Sequence, residues 1–120
     1  MKLIDKDLMI GDWVYRPDCY DKVKEIRENG IIGRDYLRGI ISFKELEPIP
    51  LTPEILEKNG WEKRPTGYVF YIDGERYDNS LWYIFDSNTF VVNTAEFQIK
   101  YVHQLQHALK GCGIDKEIEL

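Results

Sequence analysis

Glu47-Pro48-Ile49-Pro50-Leu51-Thr52-Pro53-Glu54-Ile55-Leu56-Glu57-Lys58-Asn59-Gly60-Trp61 divides the chain. Pro48 and Pro50 remove backbone donors and fix φ, so neither a central strand nor a helix runs through them and the chain changes direction there. Thr52 stands where a side chain caps a helix, Pro53 at the first helical position, and Glu54 where the dipole favours an anion. Asn59-Gly60 supplies the left-handed exit. The stretch therefore predicts a complete but very short helix. The apolar pattern is strand-like before it; a second set of strands and a longer helix follow it.

The 120 residues suffice for one domain, or for two very small units sharing a core, and the shared core is the expectation. Hydrophobic residues make up 43% and charged residues 31%, a folded composition and not a disordered one. No apolar run approaches the ~20 residues a membrane helix needs, and Met1-Lys2-Leu3-Ile4-Asp5 is not a secretory leader, so cytoplasmic residence is expected. Cys19 and Cys112 are then expected to stay reduced. The net charge is −5: residues 1–50 carry nine Lys or Arg against ten Asp or Glu, residues 51–120 seven against eleven. Neither half is cationic, which disfavours a partner that must shed counterions from phosphate.

In the first half, Leu8 to Tyr15 reads as the approach to a strand, turned by Arg16-Pro17-Asp18. Lys22 to Ile32 reads as a hairpin closed at Asn29-Gly30, followed by a strand over Arg38 to Phe43 and a short one around Leu46 and Ile49. Strands so few and short must curl to bury their apolar sides, so residues 1–50 are expected to form a small SH3-like β-barrel. In the second half, Trp61–Arg64, Tyr68–Ile72, Leu81–Phe85 and Phe90–Val92 read as an antiparallel meander, with Asp73-Gly74 as its strongest turn signal. Period-two alternation puts Tyr68, Phe70, Leu81 and Tyr83 on one face and Val69, Tyr71, Trp82 and Ile84 on the other. Both faces are apolar, so both want covering. A strand is expected before Tyr101, a helix from Tyr101 to Lys110 ending at Gly111-Cys112-Gly113, and an edge strand or frayed tail after Ile114.

Chemistry-bearing patterns are few. His103 and His107 lie one helical turn apart and are the weak candidates for metal ligation; the metalloprotease motif lacks its Glu, and two polar helix residues account for them. There is no nucleophile elbow, phosphate loop or dinucleotide fingerprint, so no catalytic or cofactor-binding residue is assigned. Aromatic residues are the remaining lead. Most serve the core, with Trp13, Tyr15, Tyr71 and Trp82 the candidates for an interaction surface.

Ile10-Gly11-Asp12-Trp13-Val14, the Glu47 to Thr52 junction with Gly60-Trp61, and Tyr101-Val102-His103-Gln104-Leu105-Gln106 resemble a group of small uncharacterised proteins encoded by gut bacteria, their prophages and other mobile elements. The resemblance spans nearly the whole chain at scattered motifs. It implies a mobile-element context and no activity. The resulting expectation is an α+β protein: an SH3-like barrel over 1–50, then a short helix, β-meander and C-terminal helix over 51–120. Its expected role is a non-enzymatic, adaptor-like interaction with a protein partner or a second copy. The rivals are a metal-assisted enzyme using His103 and His107, and nucleic-acid binding through Arg16, Lys22, Lys24 and Arg38.

Overall fold

The computed structural model describes residues 3, 5–71, 80–92 and 95–120. The protein is α+β, with antiparallel sheets and one main helix. It separates into two compact units, Met1–Pro50 with Tyr101–His107 and Leu51–Lys100 with Ala108–Leu120. The first division falls between Pro50 and Leu51, inside the proline-rich junction. The second falls within the main helix, so Tyr101–His107 packs with the first unit.

In the first unit, β1 (Trp13–Arg16) pairs with β2 (Cys19–Lys22), while β3 (Glu25–Ile26), β4 (Gly30–Ile32) and β5 (Ile40–Ser42) form a three-stranded sheet. No closed barrel is found among the described residues. The alternating run from Lys22 to Ile26 is broken into β2 and β3, so Val23 and Ile26 reach one core across a bend. The expected strand around Leu46 and Ile49 reduces to two isolated bridges, Tyr15 to Glu47 and Pro50 to Tyr101, because Pro48 and Pro50 cannot donate to a ladder. Leu3, Leu8, Val14, Val23, Ile31, Ile41 and Leu46 make the core, with Ile26 and Phe43 packed against it. Burying each such side chain is worth about 1.5–3 kcal/mol.

The second unit opens with α1 (Pro53–Lys58). Thr52 Oγ1 accepts from Ile55 N at 3.3 Å, Pro53 is the first helical residue, and Gly60 leaves at φ +88°. The short helix is therefore as the sequence prescribes. A five-stranded meander follows: β6 (Glu62–Arg64), β7 (Gly67–Tyr71), β8 (Ser80–Ile84), β9 (Thr89–Val92) and β10 (Ala95–Gln98), neighbours in that order. The Asp73-Gly74 turn expectation lies outside the described residues, but the strands flanking it pair, with Tyr71 opposite Ser80. Tyr68, Tyr83 and Phe90 stand opposite one another and are buried. On the other face the row Glu62, Val69, Trp82, Val91, Glu96 has a fully buried valine, half-buried Trp82 and Val91, and acids at both ends. The Tyr83 hydroxyl donates to the Ile99 carbonyl, and burial pushes its pKa up to about 12.

The main helix, α2, spans Val102–Gly111. Residues after Ile114 are neither edge strand nor frayed tail. Asn59 holds them, its Nδ2 donating to Glu119 O at 2.7 Å and its Oδ1 accepting from Glu119 N at 2.7 Å, with Ile118 buried. One amide side chain thus does the work of a strand partner. No described helix is long and apolar enough to cross a membrane.

Gly30 is required for space, since a Cβ built there lies 2.0 Å from the Ile41 carbonyl oxygen on β5. Gly30→Ala is expected to destabilise the protein by about 1–3 kcal/mol through overpacking. Gly111→Ala, where a Cβ meets nothing within 4 Å, should be neutral or stabilising by up to ~1 kcal/mol. Urea unfolding of both variants checks this; equal midpoints would refute the β4–β5 contact.

Candidate functional site

Two constellations of polar side chains lie within the first unit. The first joins the loop before β1 to α2. Asp12 has no exposed surface; its Oδ2 accepts from Met9 N at 2.8 Å and meets His107 Nε2 at 2.6 Å. An ionised carboxylate can only accept, so in that state Nε2 carries the hydrogen. On either side of Asp12, Gln106 makes a two-point bond: its Oε1 accepts from Trp13 N at 2.9 Å and its Nε2 donates to Gly11 O at 3.1 Å. Gln106 therefore reads the backbone of Gly11-Asp12-Trp13 as a neighbouring strand would, while His107 takes the side chain between. The segment Gly11-Asp12-Trp13 and the Gln106-His107 pair on α2 are thus halves of one contact.

His103 lies a turn earlier and is 1% exposed. Its ring stacks on Tyr101 at 6.0 Å and meets His107 edge-on at 5.7 Å. Burial lowers its pKa, with the His107 charge adding to that effect and Asp12 and Asp7 opposing it. His103 Nδ1 and Asp12 Oδ1 are both buried without a hydrogen-bond partner. The helical spacing does bring the two imidazoles together, but Asp12 Oδ2 is already engaged by His107. Among the described residues no group of three or more His, Cys, Asp or Glu is arranged to hold a metal ion. The arrangement orients and locks these side chains.

The second constellation surrounds Arg16, at the end of β1 and opposite Cys19 in register. Asp21, 3% exposed, accepts at Oδ1 from Lys22 N (2.8 Å) and Arg34 N (2.9 Å), and its Oδ2 faces Arg16 Nη1 at 3.4 Å. A Cβ at Gly33 would lie 2.2 Å from Asp21 Oδ2, so only glycine leaves room for this carboxylate. Arg16 is itself 8% exposed, and its Nε has no hydrogen-bond partner. Burial opposes its charge, yet the Cys19 contact and the Asp21 and Asp18 carboxylates outweigh this and raise its pKa.

Arg16 lines two cavities. One, of about 430 Å³, is walled by Pro17, Asp18, Arg38, Ile40, Ile41 and Glu45. The other, of about 350 Å³, is walled by Cys19, Tyr20, Asp21, Arg34 and Asp35. Cys19 and Cys112 are free and exposed. Of the cationic residues considered for nucleic acid, Arg16 and Arg38 share a cavity, Lys22 sits over the Trp13 ring at 4.9 Å, and Lys24 is exposed. Four acids line the two cavities against three arginines, so the surface is not a cationic track.

The four aromatic residues expected at an interaction surface divide between the units. Trp13 is 9% exposed, under Lys22 and Arg34, whereas Tyr15 is exposed and stacks edge-on with Tyr20 at 5.7 Å. Tyr71 and Trp82 are half-buried in the meander. Sequence reasoning missed Asp12, Gln106, Arg34 and Asp21, whose partners lie 13 to 95 residues away. It also missed Leu37, which is 98% exposed. Compared with known proteins, the chain matches no family model, no curated protein and no solved structure.

Because the folded protein lowers the His103 pKa, the unfolded chain binds a proton there more readily. The associated stability is complete above the unfolded value of about 6.5 and is lost as pH falls through it towards the folded value. Urea midpoints should therefore drop between neutral and mildly acid pH. His103→Gln, which does not titrate there, should flatten that slope; an unchanged slope would remove His103 as its cause.

Proposed function

We propose that the protein is a non-enzymatic, cytoplasmic, adaptor-like interaction module, working in the mobile-element context that its motifs imply. The observation that carries this reading is the turn Tyr36–Arg38 with the two residues after it. Asp35 Oδ1 accepts from Leu37 N at 3.1 Å and Gly39 N donates to Tyr36 O at 3.2 Å, so the turn is ordered. It nevertheless presents Tyr36 at 61%, Leu37 at 98% and Ile40 at 55% exposure. Each such side chain left in water forgoes about 1.5–3 kcal/mol of burial, which association recovers. An ordered turn also has little conformational entropy left to lose on binding.

The occupant is a protein surface, from a partner or a second copy, because apolar side chains gain nothing from a phosphate backbone. Within this reading, residues 1–50 form a small SH3-like barrel. Supporting it are the bonds that carry the chain from one sheet into the other, Val23 N to Asp12 O at 2.9 Å and Lys24 N to Ile32 O at 2.8 Å. His103 and His107 are then structural.

Leu37→Asp is the test. A partner enriched on the wild-type protein and reconstituted from purified components should bind this variant at least ~10-fold more weakly, with an unchanged thermal midpoint. If the partner is a second copy, sedimentation velocity should show the wild type associating and Leu37→Asp monomeric. Equal behaviour of the two proteins in both assays would overturn the reading.

A further inference from the structure

We infer that the cavity shared by Arg16 and Arg38 binds the free C-terminal carboxylate of a polypeptide that ends in an apolar residue. The inference rests on the interaction reading above and names the chemistry recognised beside the exposed turn.

Arg16 supplies the first argument. Its guanidinium is nine-tenths buried, a costly position for a charge unless its donors are used. Yet its carboxylate neighbours form only long ion pairs, Asp21 at 3.4 Å from Nη1 and Asp18 at 3.6 Å from Nε, and Nε is unpartnered even though Cys19 also contacts the guanidinium. Asp21 cannot move closer without giving up Lys22 N and Arg34 N, both of which donate to its other oxygen. Nε, beside a weakly held Nη1, leaves an edge of the guanidinium that a bidentate carboxylate would satisfy.

Asp18 occupies that place loosely. It also faces Arg38 Nη1 at 3.9 Å, and its side chain is 67% exposed. The Asp18 carboxylate is mostly solvated and held only by long ion pairs, so an incoming carboxylate displaces it at little cost.

The remaining walls select the ligand. Pro17, Ile40 and Ile41 are apolar, and Ile40 is 55% exposed. A volume of about 430 Å³ suits one residue. A terminal residue presents a carboxylate and a side chain from a single Cα, which matches arginines and isoleucines lining one small cavity. Asp18 and Glu45 on the same wall repel a doubly charged anion, so a monoanionic carboxylate fits better than a phosphate.

The test titrates the full chain with small probes at constant ionic strength, following the Arg16 Nε–Hε signal and the Ile40 and Ile41 amide signals by NMR. N-acetyl-leucine should shift all three to saturation with a Kd of order 1 mM, and N-acetyl-leucine amide should bind at least ~10-fold more weakly. Arg38→Gln should weaken binding roughly 3-fold or more and Asp18→Asn should tighten it. The Arg38 side chain is 48% exposed and that of Asp18 67%, so the fold survives the changes. No shift at Arg16 Nε, equal binding of the amide, or tighter binding of inorganic phosphate or of N-acetyl-aspartic acid α-amide would overturn the inference. Such a failure leaves the Leu37 test standing, since Leu37 does not line this cavity.

Discussion

Asp12 is a carboxylate with no exposed surface, and the first unit is arranged to make that tolerable. A buried charge costs several kcal/mol unless its lone pairs are used. Here one oxygen takes the Met9 amide and the His107 ring, and the flanking backbone is closed by Gln106. Backbone bonds on the other side, Gly11 N to Val23 O and Val23 N to Asp12 O, tie the same loop to the strand region beyond β2. Three chain segments distant in sequence thus meet at one residue. Replacing His107 would leave the Asp12 oxygen, which has no exposed surface, short of a partner, a larger penalty than the loss of a surface hydrogen bond. Packing alone therefore accounts for Gly11-Asp12-Trp13 and Gln106-His107 as a matched set.

Where the rules act locally, the fold was readable. Two prolines, a threonine cap, Pro53 and Asn59-Gly60 prescribe α1 to the residue, because every one of these effects is settled within a turn of the chain. The meander followed from period-two alternation, and its register, which the sequence did not specify, places Tyr68, Tyr83 and Phe90 opposite one another on the buried face. The tail after Ile114 was misread because its partner is a side chain: Asn59 imitates a strand edge, and no periodicity in residues 114–120 records that. Gly30 was given a turn role, whereas its necessity comes from the Ile41 carbonyl beneath it, a contact invisible before β4 and β5 are paired.

The candidate sites were less legible for the same reason. Spacing alone put His103 and His107 on one helical face, and they are together. It could not say that Asp12, 95 residues from His107, would already occupy the second ring. The aromatic count pointed to interaction surfaces but not to where they would fall; Trp13 went under two cations while Leu37, an ordinary aliphatic residue in the sequence, came out almost wholly exposed. Composition reports how many apolar side chains there are, and only tertiary structure reports which of them were left over.

Leu37 and Arg16 are opposite departures from ordinary burial, and each makes sense of the other. A leucine in water and a guanidinium out of it both leave the free protein less stable than a swap of environments would. Such departures persist where an ordered backbone holds them, as the Asp35 and Gly39 bonds hold the turn and as Asp21, wedged against Gly33, holds Arg16. In the proposed interaction both costs fall, since the second surface carries an apolar group for Ile40 and Leu37 and an acceptor for the arginine. A site built this way binds through groups already fixed in place, so the ordering cost is met on folding and not at the moment of contact.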